Sequence, residues 1–173
     1  MKFKLTFCIL LLLSLKGFSQ LTINETINYI DKKLKECEDL QRTFNDQYTY
    51  IVTELDFGID AENKDKVILG YNRKFSDGTS DELQYIFNPV HISVLVDKQD
   101  NYKDALGMIG MSFMDKTMIT KQRTNGKVTD KIGSGFTFPY LKTDPLNFER
   151  LKKAFLHLKE LYIEKKGLDP FAN

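Results

Sequence analysis

Tryptophan is absent from this 173-residue chain, and cysteine and histidine occur only twice each. Cys8 lies in an N-terminal apolar run, so Cys37 stands alone once that run is read as a removable leader. A single thiol forms no internal disulfide. Cys37 reads as a small buried apolar residue, the usual place of a free cysteine. A disulfide-linked dimer through Cys37 is the alternative. Neither sign of charge dominates: 25 Lys and Arg face 24 Asp and Glu, a net of +1. That balance argues against a dedicated nucleic-acid binder, which carries a strongly basic domain. Internal repeats, low-complexity segments and a linker between domains are all missing. The longest apolar run, of about 11 residues, falls short of the roughly 20 that a spanning helix needs.

That run is the most informative feature present. Lys2 and Lys4 precede Leu5 to Leu15, which is broken only by Thr6, Cys8 and Ser14. Gly17-Phe18-Ser19 then places small residues three and one positions ahead of Gln20. Charge, apolar core and small-residue site predict a secretory signal peptide over residues 1–19. Cys8 sits inside the run instead of closing it, so it does not read as a lipid-attached cysteine. The leader removes Lys2, Lys4 and Lys16 and no acid, which takes the +1 chain to −2. The remaining length, about 153 residues, fits a single domain over 20–173. A domain of that size buries roughly 68–70% of its unfolded surface. The expected location is periplasmic or secreted, with no transmembrane segment in the mature chain.

Residues 22–44 read as the first helix. Thr22-Ile23-Asn24-Glu25 is a capping box, and Ile23, Ile27, Ile30, Leu34 and Cys37 recur at helical spacing. The middle of the chain is strand-rich. Tyr48–Leu55, Val67–Lys74, Glu82–Phe87 and His91–Asp97 are loaded with β-branched and aromatic residues. Between the last two, Asn88-Pro89 interrupts any regular ladder. From Leu106 to Tyr140 the pattern predicts a meander, with Asn125-Gly126 as its strongest hairpin signal. Asp144 as N-cap and Pro145 at the first position open a last helix. Its stripe is Phe148, Leu151, Phe155, Leu158 and Tyr162, and Gly167 is a plausible stop. Strands in a block between two helices make an α+β fold, with an antiparallel sheet packed with an N-terminal and a C-terminal helix.

This order of features resembles a loose group of uncharacterised exported proteins of Bacteroidetes-type bacteria. The likeness rests on Ser19-Gln20, the helix from Thr22 to Ile30, the helix from Ala154 to Leu161, and the tail Asp169-Pro170-Phe171. It implies export and carries no activity. A curved sheet closed by a C-terminal helix is also similar to a pleckstrin-homology-like barrel, a likeness of fold that brings no function with it.

Candidate chemistry is sparse. Met108, Met111, Met114 and Met118 are four of the five methionines. Thioether sulfur suits Cu(I), but alternation on a strand would turn Met111 away from Met108, Met114 and Met118. Core filling is the favoured account and copper binding the sharper one. His91 opens a strand and is the weak candidate for a general base in a hydrolase assembled from scattered residues. His157 falls at the edge of the last helix's stripe. Gly133-Ser134-Gly135 lacks the spacing of a nucleophile elbow. Acid clusters at Asp56–Asp65, Asp77–Glu82 and Asp97–Asp104 fit no calcium loop and read as solvated charge. The lysine face of the last helix is diluted by Glu149, Glu160 and Glu164. Tyr48, Tyr50, Phe136, Phe138 and Tyr140 occupy alternating strand positions and read as core. No cofactor is implied. The sequence therefore predicts an exported, non-enzymatic binding module for a protein or small ligand, with a hydrolase using His91 and Cu(I) binding through Met108, Met111 and Met114 as alternatives.

Overall fold

A computed structural model describes residues 21–44, 48–98, 103–124 and 126–168. The predicted leader, Asn125 and the tail from Asp169 lie outside them. The fold is α+β, with a helix at each end of a block of antiparallel strands. Helix α1 spans Ile23–Lys35. Its capping box forms as expected: the Thr22 amide donates to Glu25 Oε2 at 2.8 Å, and the Glu25 amide donates to Thr22 Oγ1 at 3.3 Å. The helix ends nine residues short of the predicted boundary at 44. The Cys37 and Glu38 amides bond back to Leu34 and Lys35. Asp39 then takes a left-handed φ of 60°, and its amide donates to Val52 in the sheet. A chain tied to a strand at Asp39 cannot go on as helix, and Gln41–Phe44 becomes strand β1.

Strands β2 (Tyr48–Ile59), β3 (Val67–Phe75) and β4 (Ser80–Phe87) follow. A 3₁₀ turn at Pro89–His91, capped by the Asn88 side chain, leads into β5 (Ile92–Asp97). Then come β6 (Leu106–Phe113), β7 (Met118–Thr124), β8 (Lys127–Gly133) and β9 (Gly135–Leu141). They do not make the simple meander that the sequence predicts. One sheet has the order β1-β2-β3-β4-β7-β8 and the other β5-β6-β9. The chain leaves the larger sheet after β4, returns for the β7–β8 hairpin, and leaves again for β9. Helix α2 covers Asn147–Leu168. Asp144 accepts from the Leu146 amide, but regular helix starts only at Asn147, and Gly167 lies within it.

The core lies between the two sheets and under the helices. Tyr85 and Phe87 of the larger sheet meet Phe113 and Phe136 of the smaller one, with Tyr85 stacked on Phe136 at 4.1 Å between centroids. Helix α1 packs on β2 and on α2, and α2 packs on the 3₁₀ turn, β5 and β9. Strand β2 contains a bulge between Thr53 and Asp56, where Glu54 adopts φ 54°. The bulge changes the phase of the strand, so that Val52 and Leu55 are both buried. At Gly107 the Tyr140 ring crosses the backbone, and a Cβ would lie 2.4 Å from it.

Cys37 is buried in this core. Burial first, and the neighbouring carboxylates of Glu36 and Glu38 second, push its thiol up to about 12. Burial likewise pushes the Tyr71 hydroxyl well above its ordinary value. Both groups are raised, so the fold favours their neutral forms. The stability this gives is complete below the unfolded-state value, ~8.5 for cysteine, and is lost as pH rises from there towards 12. Each group contributes a slope of about 1.4 kcal/mol per pH unit within its window. Urea midpoints should therefore fall between pH 8.5 and 11, and Cys37→Ala should make that fall shallower. Parallel alkaline slopes for the two proteins would remove the thiol as a cause.

Candidate interaction surface

The β7–β8 hairpin stands out from the rest of the sheet. Gly126 holds φ 80° at its tip, and Thr124 lies opposite Lys127. A two-residue turn makes that flanking pair a hydrogen-bonded one, and the type then alternates along the ladder. Lys127, Thr129 and Lys131 therefore point their backbone groups at β7. Val128, Asp130 and Ile132 point theirs away, at the edge of the six-stranded sheet. Among the described residues, no backbone group of β8 bonds to anything but β7. Every residue from Lys127 to Ile132 is exposed, and Val128 and Ile132 retain 54% and 70% of their accessible surface.

The two faces of β8 differ. On the outer face, Val128, Asp130 and Ile132 continue a surface built from Arg123, Lys121 and Ile119 on β7. A shallow groove of about 300 Å³ runs there between Glu82, Gln84, Lys121, Arg123, Val128 and Asp130. On the inner face lie Lys127, Thr129 and Lys131. Neither lysine has a side-chain partner among the described residues.

What fixes the hairpin is a polar network on the inner face. Arg73 Nη2 donates to Asp81 Oδ2, and Thr124 Oγ1 donates to Asp81 Oδ1, both at 2.5 Å. Gln122 Nε2 approaches Asp81 Oδ2 at 3.5 Å and donates to Thr124 Oγ1 at 3.2 Å. The Arg73 guanidinium also lies over the rings of Tyr50 and Phe75, at 5.6 and 5.3 Å. Asp81 is 8% exposed. Its two oxygens are shared among three donors from β3 and β7, so the carboxylate ties those strands to β4.

The sequence candidates fall elsewhere. His91 ends the 3₁₀ turn, half-buried, and its ring has no hydrogen-bond or acid partner among the described residues. Met111 is buried in the core, while Met108 is half-buried with its sulfur 4.0 Å from the Tyr50 hydroxyl. Met114 is 65% exposed beyond the strand. Strand alternation turns Met108 and Met111 to opposite faces, so β6 does not bring the three sulfurs together. His157 sits between the helices, its Nε2 3.1 Å from the Leu21 carbonyl. The aromatic row is core apart from Tyr48, which is half exposed. Loop acids serve as local caps and bridges: Asp77 accepts from the Thr79 hydroxyl and amide, which hold its carboxyl below the usual value. Asp104 accepts from the Thr43 amide and stitches β1 to the start of β6. Asp65 pairs with Lys165. Asp100 lies outside the described residues. No group of three or more His, Cys, Asp or Glu among the described residues is placed to share a metal ion. No described helix is long and apolar enough to cross a membrane.

Sequence reasoning missed the exposure of β8. Its only signals are Lys127 and Lys131 flanking Val128 and Ile132, which read equally well as a half-buried strand. Comparison with protein-family models, curated proteins and solved structures found no match to this chain.

Proposed function

We propose that the protein is a non-enzymatic binding module of the cell envelope or secreted fraction, and that it takes an extended segment of a partner protein as a further strand beside β8. The observation that carries this reading is the edge at Val128, Asp130 and Ile132, unpaired among the described residues, exposed on both faces and backed by the Asp81 network. Main-chain hydrogen bonds supply affinity in strand addition, and alternate side chains supply specificity. The leader pattern supports action outside the cytoplasm.

The side chains define the partner. A second copy pairing across a two-fold axis at Thr129, Asp130 or Lys131 sets like charges opposite each other: Lys127 on Lys131, Asp130 on Asp130, or Lys131 on Lys131. Like charges directly opposite are destabilising. A partner with acids facing Lys127 and Lys131, and apolar residues facing Val128 and Ile132, has no such penalty. Run antiparallel, its pattern is apolar-acid-basic-polar-apolar-acid, as in Val-Glu-Lys-Thr-Val-Glu.

A fluorescent peptide of that sequence should bind the protein, and its charge-reversed version should bind at least about tenfold more weakly, a difference of ~1.4 kcal/mol. Asp130→Pro removes an edge N–H without touching the β7 ladder. It should leave the melting transition in place and abolish binding. Equal binding by the proline variant would exclude this edge as the site.

A further inference from the structure

Between α1 and α2, on a face remote from β8, lies a groove of about 290 Å³ with walls of almost wholly apolar carbon. Leu21, Tyr29 and Ala154 form its sides. At its base is Thr26, which is 1% exposed and whose hydroxyl has no hydrogen-bond partner among the described residues. The rim is cationic. Lys153 is exposed and has no partner among the described residues. Arg150 stands one turn from it with one arm on Asp144 at 2.7 Å. His157 lines the same side, with its Nε2 against the Leu21 carbonyl and its Nδ1 3.8 Å from Glu160 Oε2. An apolar trough with positive charge along one side matches a molecule that has a hydrocarbon body and one anionic end. The trough is too small for a folded partner and of the right order for a small ligand, whose sites start at about 300 Å³.

We propose that this groove binds a free medium-chain aliphatic carboxylate, with the chain lying between Tyr29 and Ala154 and the carboxylate at Lys153 and Arg150. The site is independent of strand addition at β8, and each can fail without the other.

The test is calorimetric titration of the full chain with dodecanoate, dodecyltrimethylammonium and acetate, with amide shifts recorded alongside. Dodecanoate should bind at one saturable site and move the resonances of Leu21, Thr26 and Ala154. The cationic detergent should bind at least tenfold more weakly, and acetate should not bind. Lys153→Glu alters an exposed side chain, so it should leave the fold and β8 peptide binding intact while weakening dodecanoate at least tenfold. Ala154→Phe should fill the trough and block both amphiphiles. If that variant melts early, Lys153→Glu and the resonance map decide alone. Equal affinity for the two head groups, indifference to Lys153→Glu, or shifts confined to other residues would overturn the assignment. So would binding to phosphatidylglycerol vesicles that dodecanoate fails to displace, which would make this face a membrane contact.

Discussion

Phe155→Ala should destabilise the protein by about 4 kcal/mol, the middle of the range for emptying a fully buried phenylalanine site. Phe155 is 0% exposed. Its ring meets Phe57 on β2 edge-on at 5.4 Å and Phe138 on β9 at 5.6 Å. One side chain of α2 therefore contacts both sheets, and α1 closes against the same helix. The neighbours cannot collapse into the space, because each belongs to a different rigid element. Aromatic geometry is worth a further ~0.5–1.5 kcal/mol per pair beyond area, so two edge contacts keep this site out of the lower part of the range. The control is next in the chain. Leu156 is 37% exposed, and Leu156→Ala should change stability by no more than roughly 0.5 kcal/mol. Urea denaturation of the two variants separates these outcomes. Similar midpoints would mean that α2 is not seated as described. With a total of about 5–15 kcal/mol available to a domain, Phe155→Ala leaves a marginal protein, and β8 peptide binding should be measured well below its melting temperature.

The seating of α2 was legible in the sequence because Phe148, Leu151, Phe155, Leu158 and Tyr162 repeat at the helical period, and burial follows that stripe from Leu151 on. The stripe of α1 was equally plain, but its end was not. Cys37 keeps the helical phase while already in the turn, so periodicity ran on past Lys35. The bulge in β2 left a trace in the sequence: Tyr50 and Val52 hold one phase, Leu55 and Phe57 the other. A slip of one residue is easily taken for noise when only one strand is in view. How the strands divide between two sheets left no trace, since the short turn between β6 and β7 serves a hairpin and a change of sheet alike. The polar network left none at all. Arg73, Asp81, Gln122 and Thr124 are ordinary surface residues in sequence and become neighbours only because β4 pairs with β3 on one side and β7 on the other. Exposure of β8 is a fact about what does not cover it, and no local pattern encodes that.

That network is where the second large effect is expected. Asp81→Ala should cost about 3 kcal/mol, the lower end of the range for removing one partner of a buried ion pair. Removal leaves Arg73 with a positive charge over two rings and its Nε already without a partner. It also strips the acceptor from Thr124. The value belongs at the lower end because the Arg73 side chain is 24% exposed, and water can reach part of the guanidinium. Asp81→Asn keeps an acceptor for Thr124 and should cost less than the alanine change. Combining Arg73→Met with Asp81→Leu removes both charges and should recover much of the loss, because apolar replacement of a whole buried pair is often neutral. The double-mutant cycle from urea midpoints measures this directly, and an additive double variant would mean the two charges do not interact. The consequence reaches the binding edge. Gln122 and Thr124 are the β7 residues backing Thr129 and Lys127, so loss of Asp81 should loosen the hairpin relative to β4. Amide exchange in β7 and β8 should quicken in Asp81→Ala while the amides of α1 and α2 stay protected. Peptide affinity should drop with it, since a strand that must first be ordered gives up part of its binding energy to that ordering.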